Sequence, residues 1–282
     1  MAVQRRPRVT APSMIAMIFG MWVLLYATAG CRSPALVLAD RASVLGMRTE
    51  LVPGTFFQHV VFYHASRPTR TLHVYLDGDG TPWFAGRPSE DPTPRNHLVL
   101  DLMALDPNSS VYLGRPCYHG LAKAPPCSSA LWTTERYSET VVSSIAAALR
   151  SILAGGEFDQ VIWFGYSGGG TLAVLLAPQF VETRGVVTVA ANLDIDAWAD
   201  HHNYPRLAGS LNPRSRPPMP RGVYQRHYVG EKDRIVPKEI VSRTRSDPST
   251  VIVVPAYNHR CCWPEIWPAI VQEAEDATRS HD

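Results

Sequence analysis

The period of the apolar positions changes along the chain, and each period predicts an element. Residues 58–63 and 71–76 are rich in β-branched and aromatic side chains, and Arg67-Pro68 separates them, so they read as a pair of strands. In residues 96–105, Leu98, Leu102 and Leu105 recur at i, i+4 and i+7, the spacing of one helix face. Asp106-Pro107-Asn108 ends that run, and residues 110–113 read as a short strand. Ser138 can cap a helix running to about Leu153, with Val141, Ile145, Ala148, Leu149 and Ile152 on its apolar face. Ala154-Gly155-Gly156 stops it. Residues 160–164 (Gln-Val-Ile-Trp-Phe) form a short apolar run, the mark of a strand buried on both faces. A helix at 169–180, strands at 185–190, 223–229 and 250–254, and a helix at 263–277 follow. This alternation predicts an α/β fold with a mainly parallel central sheet and helices on both faces.

Before this pattern begins, the chain reads as an address. Arg5, Arg6 and Arg8 precede an uncharged apolar run, residues 14–27, too short for the ~20 residues of a membrane span and suited to a secretory leader. Thr28, Ala29 and Gly30 then lead to Cys31. This resembles the lipobox of bacterial lipoproteins, although Thr28 stands where leucine is usual. The resemblance implies cleavage after residue 30, lipidation of Cys31 and export to the bacterial cell envelope, either facing the periplasm or at the outer membrane. Arg32, a residue other than Asp after the cysteine, resembles the outer-membrane group. The expected organisation is a leader (1–30), a lead-in (31–57) and one catalytic domain (58–282).

Composition narrows the classes. Hydrophobic residues make up 45% and charged residues 18%, enough apolar material for a sizeable core. The net charge of +2 lacks the basic excess of a nucleic-acid binder, and no such partner is expected. The three leader arginines account for that excess, since removing them turns the balance to −1. No repeat, dinucleotide fingerprint or phosphate-binding loop is present, so no cofactor is expected. Zinc-ligand spacing is absent too, and the adjacent His201 and His202 would not converge on one ion, so no metal is expected.

Export makes disulfides permissible. Cys117 and Cys127 flank a proline-containing loop and are expected to close a ring, while Cys261 and Cys262 stay open between a vicinal pair and a crossed arrangement.

The chemistry gathers at predicted strand ends. Gly165-Tyr166-Ser167-Gly168-Gly169-Gly170 follows the 160–164 strand and precedes a helix, the context of a nucleophile elbow. Small flanking residues are needed there because the serine sits in a strained turn wedged between strand and helix. With this motif the chain resembles the α/β-hydrolase family over residues 58–278. The resemblance implies a triad in the order serine, acid, histidine. The turn Gly230-Glu231-Lys232-Asp233, followed by Val236-Pro237, is similar to the family's acid turn and nominates Asp233; Asp194 and Asp196 are rivals. Downstream of Asp233 only His259 and His281 remain as bases. His259 stands in the loop after the 250–254 strand, where the family keeps its histidine, and His281 is in the polar tail.

A tetrahedral intermediate needs oxyanion donors. The backbone N–H of Gly168 is one candidate. The other is expected in Asp77-Gly78-Asp79-Gly80, which resembles an esterase oxyanion loop and offers Gly78 and Asp79. Acidic residues there would disfavour anionic acyl groups or bind a cation. Residues 192–221 read as a small cap or loop insertion carrying Trp198, Tyr204, Leu207 and Leu211. Trp83, Tyr166 and Trp263 stay open between pocket wall and core. The resemblance thus implies a carboxylesterase-like serine hydrolase acting through an acyl-enzyme on a small-molecule or lipid-like ester, tied to a membrane by its N-terminal lipid. A peptidase or thioesterase of the same fold, or a non-catalytic hydrolase-fold envelope protein, are the other readings.

Overall fold

The computed structural model describes residues 32–279 except 66, 68, 157 and 244–246, so the leader, Cys31 and His281 lie outside the described residues. In chain order the elements are α1 (Pro34–Val44), β1 (Arg48–Pro53), β2 (Gln58–His64), β3 (Thr71–Leu76), the two-residue strands β4 (Trp83–Phe84) and β5 (Arg87–Pro88), α2 (Leu98–Ala104), and β6 (Ser110–Leu113). They continue with α3 (Glu139–Gly155), β7 (Gln160–Tyr166), α4 (Gly168–Leu176), β8 (Thr183–Val189), α5 (Ile195–His201), β9 (Tyr224–Gly230), α6 (Lys238–Val241), β10 (Val251–Val254) and α7 (Trp267–Arg279).

Eight strands form one sheet in the order β1-β2-β6-β3-β7-β8-β9-β10. From β6 to β10 every neighbour is parallel, and β1 and β2 extend the edge antiparallel. Side chains alternate across β7. Val161 and Trp163 enter a core shared with α3 and α4, while Ile162 and Phe164 enter a second core shared with α1, α2 and α7. Burial on both faces is why this strand reads as an unbroken apolar run. Ser138 caps α3 as expected, accepting a hydrogen bond from Val141 N. Among the described residues, no helix is long and apolar enough to cross a membrane.

Two expectations change. The strands at 58–63 and 71–76 exist but do not pair with each other; β6 lies between them, antiparallel to β2 (Val61 opposite Leu113) and parallel to β3 (Val74 opposite Val111). β3 is buried almost throughout and sits inside the sheet, with β6 on one side and β7 on the other. The lead-in is also part of the fold. β1 pairs with β2 along its whole length, and Leu38 and Ala42 of α1 are buried. Only Val52 of β1 is buried, so this edge strand carries no alternation to read.

A buried ionic tie fastens α7 beneath the sheet. His73 on β3 bonds Asp106 Oδ2 through Nδ1 at 2.5 Å and Glu275 Oε1 through Nε2 at 2.7 Å, and the Tyr75 hydroxyl donates to Asp106 at 2.7 Å. Burial opposes a charge on the imidazole, but hydrogen bonds and the charges of both carboxylates outweigh it and push its pKa up to about 9. His73 is therefore a cation at neutral pH, held between two anions.

Candidate active site

Ser167 occupies the turn between β7 and α4 with φ 52° and ψ −123°, a conformation that costs a residue with a side chain roughly 1–3 kcal/mol. The surrounding packing imposes it. Ser167 N donates to Val189 O at 2.9 Å, and a Cβ on Gly169 would fall 2.0 Å from Leu76 O, so the helix can start this close to β3 only with glycine there.

β9 and β10 deliver the two partners. Ser167 Oγ lies 3.1 Å from His259 Nε2, and His259 Nδ1 lies 2.8 Å from Asp233 Oδ2. A carboxylate can only accept, so Nδ1 carries the proton and Nε2 turns its lone pair to the serine hydroxyl. Asp233 is buried, and the N–H groups of Ile235 and Val236 bond its Oδ1 at 2.8 and 2.9 Å, which leaves Oδ2 aimed at the imidazole. The His259 loop is held in turn by Trp263, whose Nε1 donates to His259 O at 3.2 Å. Trp263 is wholly buried and belongs to the core. The rivals do other work: Asp194 caps α5 by accepting from Ala197 N, and Asp196 accepts from Asn212 Nδ2.

The loop after β3 folds over the serine. A Cβ on Gly78 would lie 3.3 Å from Ser167 Cβ. The two donors expected in this loop are not equivalent. Gly78 N donates to Asp77 Oδ1 at 2.7 Å and is already engaged, whereas Asp79 N, like Gly168 N at the start of α4, has no acceptor among the described residues. Of the three backbone donors expected around the serine, Gly168 N and Asp79 N are thus open among the described residues, while Gly78 N is engaged by Asp77.

The acidic loop also differs from expectation, because neither carboxylate presents free charge to a substrate. Asp77 is buried and bonded by Gly78 N and the Tyr112 hydroxyl; burial pushes its pKa up to about 6 against those bonds and the nearby Arg115. Asp79 pairs with Arg115 at 2.8 Å and Arg136 at 3.0 Å, and accepts from the Tyr137 hydroxyl at 2.7 and 2.6 Å. Burial raises its pKa, but the two guanidinium groups and the phenol outweigh it and hold the carboxyl below the usual range. Arg115, Arg136 and Tyr137 carry no motif, and only the fold brings them to residue 79. Cys117–Cys127 closes its ring beside Arg115, with Cα atoms 5.6 Å apart, and Cys261 and Cys262 pair with each other.

The relay opens into a cavity of about 1070 Å³. Residues 192–221 form part of its wall. Trp198, Tyr204 and Leu207 line it, and Trp198 Nε1 and His202 Nε2 both bond Ile235 O at 2.8 Å, which ties α5 to the acid loop. Leu211 packs on the main core, so the segment is wall more than separate lid. Trp83 and Tyr166 also line the cavity, as does Asn192, whose buried Oδ1 has no partner.

No protein-family model matches the chain, and no curated protein matches it in sequence. Solved structures do resemble it. An esterase of Pyrococcus furiosus superposes with a TM-score of 0.58 at 11% identity, over 89% of this chain and 96% of that one. A proline iminopeptidase of Mycobacterium smegmatis gives 0.58 at 11%, over 83% and 100%. A serine hydrolase without a lid from Xanthomonas campestris gives 0.53 at 11%, over 83% and 94%. The chain thus has the α/β-hydrolase fold, a mostly parallel sheet flanked by helices.

Proposed function

We propose that the protein is a serine hydrolase that cleaves carboxylic esters through an acyl-enzyme. The observation that carries this reading is the continuous relay from Ser167 Oγ through His259 to Asp233, with steps of 3.1 and 2.8 Å at the floor of a large cavity. Ser167 Oγ attacks the ester carbonyl while its proton passes to His259 Nε2. Asp233 stabilises the imidazolium and stays ionised. The N–H groups of Gly168 and Asp79 receive the negative oxygen, and the positive end of α4 adds to that field. The carbon–oxygen bond to the alcohol breaks as His259 returns the proton to it. Water then attacks the acyl-enzyme by the same route, releasing the acid and restoring Ser167.

Ester cleavage is favoured because much of the lining is apolar and aromatic, namely Trp83, Trp198, Tyr204, Leu207 and Ile235. Turnover of para-nitrophenyl esters beside matched thioesters and amino-acid amides tests the assignment. Ester rates well above the other two support it; faster amide release makes the protein a peptidase, and no release of any acyl group leaves a non-catalytic envelope protein. The envelope location rests on the leader and Cys31, and the cysteine pairing suits an oxidising compartment. Mass measurement of the mature N-terminus for a diacylglyceryl-modified Cys31 checks it.

A further inference from the structure

The charges that line the cavity divide into two groups. Asp77 and Arg136 are buried and Asp79 is half-buried, and all three are committed: Asp77 to Tyr112 and Gly78 N, and Asp79 and Arg136 to each other. Lys232, Arg234 and Arg260 also line the cavity, but they are exposed, and among the described residues none of them forms an ion pair with a carboxylate. Their place is set by the relay itself. Lys232 and Arg234 flank Asp233, Arg260 follows His259, and Lys232 N donates to Tyr257 O at 2.8 Å, which fastens the acid loop to the histidine loop. Glu231 is turned elsewhere, accepting from Ala256 N, and does not line the cavity. Buried Asp233 is one anion against three cations, while Asp77 and Asp79 are answered by Arg115 and Arg136. In a chain of near-zero net charge, the exposed charge at this site that has no ion-pair partner among the described residues is all positive.

We infer that the substrate is an ester carrying an anionic group, a carboxylate or a phosphate, together with an apolar segment. This rests on the hydrolase reading above and names the substrate class of the same site. The cations receive the anion, and the apolar lining of Trp83, Trp198, Tyr204, Leu207 and Ile235 receives the rest. A cleft lined by one sign of charge raises the local concentration and on-rate of an oppositely charged ligand by about 10-fold or more, and salt weakens the effect.

The test compares kcat/KM within two matched pairs. Para-nitrophenyl hemiglutarate against para-nitrophenyl pentanoate places a carboxylate at the end of the acyl chain; dihexanoyl glycerol phosphate against dihexanoyl glycerol places a phosphate on the alcohol. The expected result is that the anionic member of at least one pair is preferred by about 10-fold or more at low salt, with the preference shrinking toward unity as ionic strength rises. The pair that responds identifies the anion. The combined variant Lys232→Gln, Arg234→Gln, Arg260→Gln should bring the ratio in that pair near one, and the salt series on the wild type gives an independent reading if the variant does not fold. Hydrolysis of the neutral esters with no anionic preference in either pair overturns this inference and leaves the hydrolase reading standing. Hydrolysis of none of the four overturns both.

Discussion

The carboxylate of Asp79 occupies the space that a side chain at residue 168 would need: a Cβ built on Gly168 would lie 2.0 Å from Asp79 Oδ1. Arg115, Arg136 and Tyr137 pin that carboxylate, so the loop after β3 and the first turn of α4 hold each other in place. Replacing Asp79 with Ala leaves two buried guanidinium groups without their counter-charge. Removing one partner of such a buried cluster costs about 3–5 kcal/mol. Urea denaturation should show a loss of that size for Asp79→Ala and a smaller one for Asp79→Asn, which keeps a hydrogen-bonding oxygen. A loss under about 1 kcal/mol for Asp79→Ala would mean the network contributes no more than a surface pair.

The His73 tie makes stability depend on alkaline pH. Its folded pKa of about 9 lies above the ~6.5 of an unfolded histidine. The stabilisation is therefore fully present below about pH 6.5 and is lost as pH rises through about 9. Urea midpoints measured from pH 6 to pH 10 should fall along this course in the wild type. His73→Gln should be less stable at neutral pH and should lack that component of the slope. Equal slopes in the two proteins would place the titration elsewhere.

The Cys117–Cys127 bridge closes a short ring, with a sequence separation of 10. The loop-closure entropy of a ring of that size corresponds to about 2–3 kcal/mol. The double variant Cys117→Ser, Cys127→Ser should unfold at correspondingly lower denaturant under oxidising conditions. Under reducing conditions the gap between variant and wild type should narrow, because the wild-type bridge is then opened as well.

Asp233 and Asp194 separate orientation of the base from support of the fold. Asp233→Asn removes the acceptor that fixes the His259 tautomer and should lower kcat by about 10²–10⁴-fold. Asp194→Ala removes the α5 cap, which should cost about 1 kcal/mol of stability and far less in rate. Steady-state kinetics alongside thermal melts distinguish the two, and a larger kcat loss from Asp194→Ala would reverse the assignment of the acid.

The elements legible in the sequence were those whose period is set by burial. β7 reads as a strand because it is buried on both faces, and α3 reads as a helix from its apolar stripe and its Ser138 cap. Edge strand β1, with Val52 alone buried, left no periodic trace, and the insertion of β6 between β2 and β3 is long-range pairing that no local pattern encodes. Within the site, Ser167, Asp233 and His259 stand next to strand ends in recognisable turns. The groups that support them do not. Arg115, Arg136 and Tyr137 reach Asp79 across 36 to 58 positions of chain, and what occupies the Gly78 N–H is decided by how the Asp77 side chain turns. The charge of the loop was readable, but its neutralisation was not.

The central claim is that Ser167 is the nucleophile, activated by His259. Incubation of the folded protein with a fluorophosphonate, followed by intact mass and peptide mapping, tests it directly. The account predicts one stoichiometric adduct on Ser167, absent in Ser167→Ala and formed at least ~10²-fold more slowly in His259→Gln, which lacks the general base. No adduct on the wild type, or equal labelling of Ser167→Ala, would contradict it.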